Sequence, residues 1–448
     1  MKNILSVLAL LLAVAAWGDR VRVVPTTTLK SETSNNTSAA DSYRGSNNGN
    51  LPAGNVSKVP LRSLLYPGAT IKLLVAMQGW FGNPKHSSVG YNSADPAQVR
   101  RQLADMKSRG FDGVTIAWYG SDAKEQSNLA TLTVKAEAEK VPGMVFALRV
   151  NEGAIKWYAH GLSPTDALIF HMSYAADSYF TSPAYLRIYG RPVVFEFGLE
   201  SLDIDWDRVK SAVRGNPLWI FRNASGFTRP DSAGAFAWGA ANNFDYLDRF
   251  YGKAFAQRSL LTVGNTYKGF DDRLASWSKD RVVEQRCGQT WLDTFAYVNK
   301  FYSARNQLLY LMVSTWNDYE EGTEIEAGID NCLTLSAAIS DNSLGWTLSG
   351  KGRENTIDHY TVFISADGQN LMPLANLPNV EHALDLARYE LTPGTYTLYV
   401  KAIGKPSIRN LMSNPVRWAI LPRVSGGVEK GRLVSGRWWG VGATKCGA

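Results

Sequence analysis

Between residues 70 and 320, eight short, continuously apolar runs alternate with stretches of helical periodicity, and no other feature limits so tightly what the chain can fold into. The runs are IKLLVAMQGWFG (71–82), FDGVTIAWYG (111–120), GMVFALRV (143–150), RPVVFEFG (191–198), PLWIFRN (217–223), AGAFAWG (233–239), LLTVGNTY (260–267) and LLYLMVSTWND (308–318). The first helix, 95–110, opens on Asp95–Pro96 and stops at Gly110; further helical stretches are expected at 128–140, 166–178, 205–213, 245–257 and 289–304. Strands that are apolar on both faces suit a parallel sheet covered on both sides. Alternating with helices, they predict an α/β fold, a (β/α)₈ TIM barrel over residues 69–332. A doubly wound open sheet is the rival, but its first turn is usually a glycine-rich phosphate loop. Here that turn reads GWFGNPKH (79–86), without G-x-G-x-x-G.

After Cys332 the pattern changes to period-two alternation in 344–350, 358–368 and 394–404. This predicts a small all-β sandwich domain, fibronectin type III-like, over 333–423. At the start, MKNILSVLALLLAVAAWG has a charged end, an apolar run too short to span a bilayer and a small-residue exit. Residues 1–18 therefore read as a signal peptide, with an uncleaved anchor as the alternative, and a secreted or periplasmic location is expected, with no membrane span after its cleavage. Residues 19–68 read as a flexible linker, because 25–60 are rich in Ser, Thr, Asn and Gly. Residues 424–448, Gly-rich and basic, read as a disordered tail.

The net charge of +7 is modest, and residues 423–448 supply +4 of it: five basic side chains against Glu429. No basic stripe interleaves with aromatics, which argues against nucleic acid as a partner. Cys287, Cys332 and Cys446 fit no metal spacing. In an oxidising compartment Cys287 and Cys332 can pair; free buried thiols are the alternative.

The segment TWNDYEEGTEIE (315–326) places Asp318, Glu320, Glu321, Glu324 and Glu326 together with no Lys or Arg among them. In a barrel it falls at the carboxyl end of strand eight, where catalytic groups of such folds collect. Strand alternation puts Trp316 and Asp318 on one face, and a turn beyond can return Glu321 beside Asp318. Two carboxyls aimed at one pocket are what glycosidic hydrolysis requires: one protonates the leaving oxygen, the other acts on a water or on the sugar. Repulsion and burial would keep one of them protonated. Glu320, Glu324 and Glu326 read as a solvated face, and the spacing fits no calcium loop. This chemistry calls for no metal or organic cofactor.

WNDYEEGTEIE (316–326) resembles the strand-eight motif of glycoside hydrolase families 71 (α-1,3-glucanases; W-N-D-Y-x-E) and 99 (endo-α-mannosidases and endo-α-mannanases; N-E-W-x-E-G-T-x-I-E). GWFGNPKH, AWYG (117–120) and GFDDR (269–273) resemble family-99 motifs at the first, second and seventh strands, so the resemblance spans roughly residues 70–330. It implies Glu321 as general acid/base and Asp318 as the partner carboxyl. In family 99 that partner is a Glu assisting the sugar's own 2-hydroxyl; in family 71 it is an Asp in an inverting reaction.

For substrate contact the candidates are Trp80, Trp118 and Tyr119, on which sugar faces could stack, with core packing as the alternative. Trp238 and Asn265 end strands six and seven, Asp271 and Asp272 lie just beyond, and Trp316, Asn317 and Tyr319 flank the carboxyls. Glu196 interrupts an apolar strand, so it should face the pocket or pair with Arg149 or Arg222. His86 and His160 read as surface residues. The reading is a glycosidase whose partner is an α-linked oligo- or polysaccharide. Its rivals are a non-catalytic glycan-binding barrel and a structural cell-surface protein; the self-association state is not legible.

Overall fold

The computed structural model describes residues 21–22, 55–239 and 245–421. The expected signal peptide, most of the expected linker and the 424–448 tail lie outside these residues. Eight strands follow in order: β1 (Lys72–Met77), β2 (Gly113–Trp118), β3 (Val145–Asn151), β4 (Arg191–Phe197), β5 (Leu218–Arg222), β6 (Gly234–Phe236), β7 (Leu261–Thr266) and β8 (Tyr310–Val313). Every neighbouring pair is parallel, β8 pairs with β1, and β3 pairs with β4. The sheet is thus a closed barrel, which excludes the open-sheet rival. Among the described residues, seven α-helices surround it: α1 (Pro96–Ser108), α2 (Gln126–Ala138), α3 (Gly153–Trp157), α4 (Pro164–Ser178), α5 (Trp206–Ala212), α6 (Asp245–Ala256) and α7 (Gln289–Phe301). Only the five-residue α3 had no counterpart in the sequence reading.

The helices begin where their caps dictate. Asp95 accepts from the Ala97 N–H ahead of α1, Ser163 from Asp166 ahead of α4, and Asp205 from Arg208 ahead of α5. In β1 the five residues from Leu73 to Met77 are all buried, as a strand between barrel interior and helix layer must be.

Residues 333–421 form two antiparallel sheets. One is β9 (Leu333–Ser340), β10 (Ser343–Gly350) and a short third strand at Ala383–Asp385. The other is built on β11 (Ile357–Ser365), β12 (Met372–Pro378) and β13 (Gly394–Gly404), with β14 (Val416–Ile420) paired to β13. They share one apolar core, including Leu344, Trp346, Tyr360 and Trp418. Cys287 and Cys332 form a disulfide, joining the loop before α7 to the start of β9.

The linker expectation is corrected from residue 55 onward. Val56, Leu61 and Leu65 are buried, and Ser57 N donates to Ile408 O at 2.9 Å. These apolar side chains were too sparse among polar neighbours to stand out in sequence. On the far side, Ile408 is part of the barrel's core. Ile329 N donates to Ser407 O and Arg409 N to Ile329 O, each at 2.9 Å.

One charge inside this framework governs the segment after β8. Arg109 is fully buried, and its guanidinium lies 4.7 Å over the Trp316 ring. It donates to the carbonyls of Ile325 (2.7 Å) and Glu326 (2.8 Å) and pairs with Asp105 at 2.5 Å. Burial alone would raise the Asp105 carboxyl, but Arg109 and Lys58 hold it below its ordinary range. Removing the guanidinium leaves two buried carbonyls without their donor, which typically costs about 1–3 kcal/mol each, and takes from Asp105 one of its two cations, the other being Lys58. Arg109→Met should therefore lower unfolding stability in urea by about 3 kcal/mol, whereas Arg100→Met, at an exposed arginine whose partner Glu137 keeps Lys140, should shift the midpoint much less.

Candidate active site

The C-terminal ends of the strands open into a cleft of about 1080 Å³ whose lining includes Gln78, Trp80, Tyr119, Arg149, Asp318 and Glu321. Its position follows from the strands: Gln78 and Trp80 follow β1, Tyr119 follows β2, Arg149 lies on β3, and Asp318 and Glu321 lie beyond β8.

The acidic segment folds back on itself. Thr315 N donates to Thr323 O (3.1 Å), Thr323 N to Asp318 O (3.1 Å), and Ile325 N to the carbonyls of Thr315 (3.1 Å) and Trp316 (3.0 Å). This return splits the five carboxyls among separate environments. Asp318 is wholly buried; its Oδ2 accepts from Gln78 Nε2 at 2.6 Å and its Oδ1 from the Glu321 N–H at 3.0 Å. Glu321 is half-buried, and its Oε1 accepts from Trp277 Nε1 at 3.2 Å. Burial pushes the Asp318 carboxyl well above the usual range, and the nearby Glu321 charge adds to it. Burial also raises Glu321, opposed by the Trp277 hydrogen bond and by the Arg281 and Arg149 charges. The two therefore titrate as a pair that holds a proton above the ordinary carboxylate range.

The other three acids are not a solvated face. Glu320 is buried, accepting from the Ser87 N–H (2.8 Å) and meeting His86 Nδ1 (2.9 Å). Glu324 pairs with Lys268 at 2.7 Å. Glu326 is buried and accepts from Gln102 (2.7 Å), Tyr91 (2.8 Å) and Tyr319 (3.0 Å). Each needed a partner distant in sequence, which a local reading could not supply.

The proposed contact residues divide. Trp80, Tyr119 and Trp238 line the cleft. Trp118 does not: it is wholly buried, its Nε1 donates to Asn128 on α2 at 3.0 Å, and it packs edge-on against His171 and Tyr179. Trp316 is likewise core, beneath Arg109 and against Phe111. The expectation that it shares a face with Asp318 fails because β8 ends at Val313 and the chain then turns. Asn265 is sealed inside the barrel, donating to Met312 O (2.9 Å) and Ser314 Oγ (2.7 Å). Asn317 is buried and braces the loop after β1 through Gln78 N (2.8 Å) and Gln78 O (3.1 Å).

Glu196 is buried beneath the cleft, not lining it. It accepts from the backbone N–H of Glu200 (3.1 Å) and of Arg222 (3.3 Å). Burial pushes its carboxyl up to about 8, and Glu200 adds to that. Arg222 pairs with Glu200 at 2.8 Å and Arg149 bonds Gln78, so the expected ion pair with Glu196 does not form. Asp271 engages Arg273, and Tyr319 lies with it along a separate groove. Asp272 is buried and fixes Arg281, which does line the cleft, at 2.8 Å.

Several cleft residues escaped the sequence reading. Arg149 donates to Gln78 Oε1 at 3.1 Å and stacks 4.6 Å from the Trp238 ring, so Gln78 bridges it to Asp318. A charge within the apolar run ALRV was the available signal. Trp157, 68 % exposed, stacks on Tyr119 at 5.4 Å, and Trp277 is 39 % exposed at the edge. His86, expected at the surface, stacks on Trp80 at 4.8 Å and lines the cleft. His160 is exposed, as expected.

Fold and site together define a closed (β/α)₈ barrel with paired carboxyls in a cleft at its C-terminal mouth. No family model matches the sequence, and no curated protein matches it. Among solved structures it is similar to the GH99 endo-alpha-mannosidase from Bacteroides thetaiotaomicron, at 19 % identity over 57 % of this chain and 88 % of that one, with a TM-score of 0.46. It is also similar to a glycoside hydrolase-like protein, at 13 % identity over 66 % of this chain and 93 % of that one, TM-score 0.45. The barrel assignment rests on the strand pairings, and these likenesses add nothing about chemistry. Among the described residues, no helix is long and apolar enough to cross a membrane.

Glu326 offers a test of this electrostatic arrangement. Burial pushes its carboxyl up to about 7 despite three donors. The fold therefore binds its proton more tightly than the unfolded chain does. That contribution to stability is complete below about pH 4 and fades as pH rises through 7. Glu326→Gln should accordingly shrink the loss of thermal stability between pH 5 and pH 8, by roughly 2–3 kcal/mol, in melts followed by circular dichroism.

Proposed function

We propose that this chain is a glycoside hydrolase acting on α-linked glycans, an α-glucan or α-mannan, outside the cytoplasm. The observation that carries the reading is the coupled pair Asp318 and Glu321, both lining one cleft at the barrel mouth and both raised by burial. The motif resemblance at 316–326 supports the assignment of linkage class, and the apolar start of the chain supports export.

The roles follow from access. Asp318 has both oxygens engaged from the protein side, whereas Glu321 has a single bond, from a tryptophan at the cleft edge. Glu321 is thus free to reach the glycosidic oxygen and acts as the acid/base. As the C–O bond breaks, its proton goes to the leaving oxygen. Asp318, held by Gln78, acts as the partner on a water or on the sugar's 2-hydroxyl, and water finally adds to the anomeric carbon. Trp80, Tyr119 and Trp157 offer faces for sugar rings.

Release of reducing ends from α-1,3-glucan, α-mannan and other α-glycans tests the proposal. Glu321→Gln and Asp318→Asn should each lower kcat by roughly 10²–10⁴-fold while oligosaccharide binding persists. The acidic limb of the wild-type pH profile should lie above the ordinary carboxylate range. Binding across the panel without turnover would replace the hydrolase with a glycan-binding barrel, and absence of any saccharide affinity would remove both.

A further inference from the structure

A second lobe of about 640 Å³ continues the cleft and shares Phe197, Arg222, Trp238, Arg281 and Glu321 with it. The charges of the two lobes differ. The first mixes bases with Glu125, Glu152, Asp318 and Glu321, whereas the second is lined by Arg222, Arg249, Lys253 and Arg281 against Glu321 alone.

The local ion pairs reduce this excess only in part. Glu200 offsets Arg222, and Asp272 offsets Arg281. Arg249 and Lys253 stand one turn apart on α6 and are exposed, and neither has an ion-pair partner among the described residues. Of the acids on their own helix, Asp248 pairs with Lys300, and Asp245 lies outside the lining of the lobe. The Arg222 Nε is a buried donor without a hydrogen-bond partner among the described residues. Two exposed cations in a lobe that Trp238 and Phe197 also line form a site with an aromatic floor and a cationic wall. A neutral sugar would use the floor but leave the wall unanswered.

We propose that this lobe binds a sugar residue bearing an anionic substituent, a carboxylate, sulfate or phosphate, next to the bond facing Glu321. The proposal rests on the reading of the cleft as a glycan site. The anion lies between Arg249 and Lys253, and Arg222, stacked on Phe197 at 4.4 Å, supplies a further donor.

The test is calorimetric binding by the full chain carrying Asp318→Asn, which lies outside the second lobe, to α-linked oligosaccharides of matched length. The panel comprises neutral gluco- and manno-oligosaccharides, oligouronates, and sulfated and phosphorylated oligosaccharides. At least one anionic member should bind tenfold or more tighter than its neutral counterpart, and which one does identifies the substituent. That preference should weaken between 50 and 500 mM NaCl, about the range over which screening shortens charge interactions. Adding Arg249→Ala and Lys253→Ala should abolish it without shifting the melting temperature. Equal affinity for neutral and anionic members, no binding at all, or a preference that survives the double substitution would overturn the proposal. Preferential binding by a wild-type protein that releases no reducing ends would sink the hydrolase reading and leave this one standing. Cleavage of neutral glycans without any anionic preference would do the reverse.

Discussion

The site depends on a buried guanidinium that never touches the cleft. Five carboxyls within nine residues repel one another, and left extended they would favour a solvated loop. Arg109 seizes the carbonyls of Ile325 and Glu326, and the Thr315–Thr323–Ile325 bonds close the segment into a return. Held in this way, the carboxyls point in different directions, and three find partners of their own. What is left facing the mouth is Asp318, wholly buried, and Glu321, half-buried, close enough to perturb each other. The repulsion that makes the sequence conspicuous is relieved at three positions and retained at two.

Strand count, helix positions and the location of the acidic segment were legible because each depends on local pattern. Apolar runs of strand length stay strands once helices cover one face and the barrel interior fills against the other, and six helices fell within two or three residues of the expected spans. Side-chain direction at strand ends was not legible. Trp118 and Tyr119 are adjacent and must point oppositely, so one had to enter the helix layer; Asn128 on α2 decides which. Trp316 and Asp318 share parity only if the strand continues, and it does not. Glu196 and Arg149 look alike in sequence, each a charge in an apolar run. One is buried under the rim and the other reaches the cleft, and the difference lies in strand register, Arg149 standing opposite Phe195 and Glu196 opposite Val150 on the neighbouring strand.

Polar side chains beneath the cleft hold those that line it. Gln78 joins Arg149 to Asp318, Asn317 fixes Gln78 through its backbone, and Asp272 aims Arg281. Such chains reduce the freedom of the side chains that meet a ligand, so less ordering remains to be done on binding. They also explain why Asn317, absent from the cleft surface, sits in the same sequence motif as Asp318 and Glu321, which line it.

The turn at 405–410 gives the two sheets a role that their position in the chain would not suggest. Ile408 is seated among barrel side chains, Arg409 Nε donates to Ala327 O at 3.0 Å, and Ser407 and Ile329 exchange backbone contact. The C-terminal unit therefore buttresses the rear of the very limb that Arg109 restrains from the front. It is not a detachable module: severing it would leave an empty apolar socket behind the loop that follows β8, so substituting another appendage there means rebuilding the wall on which that loop leans.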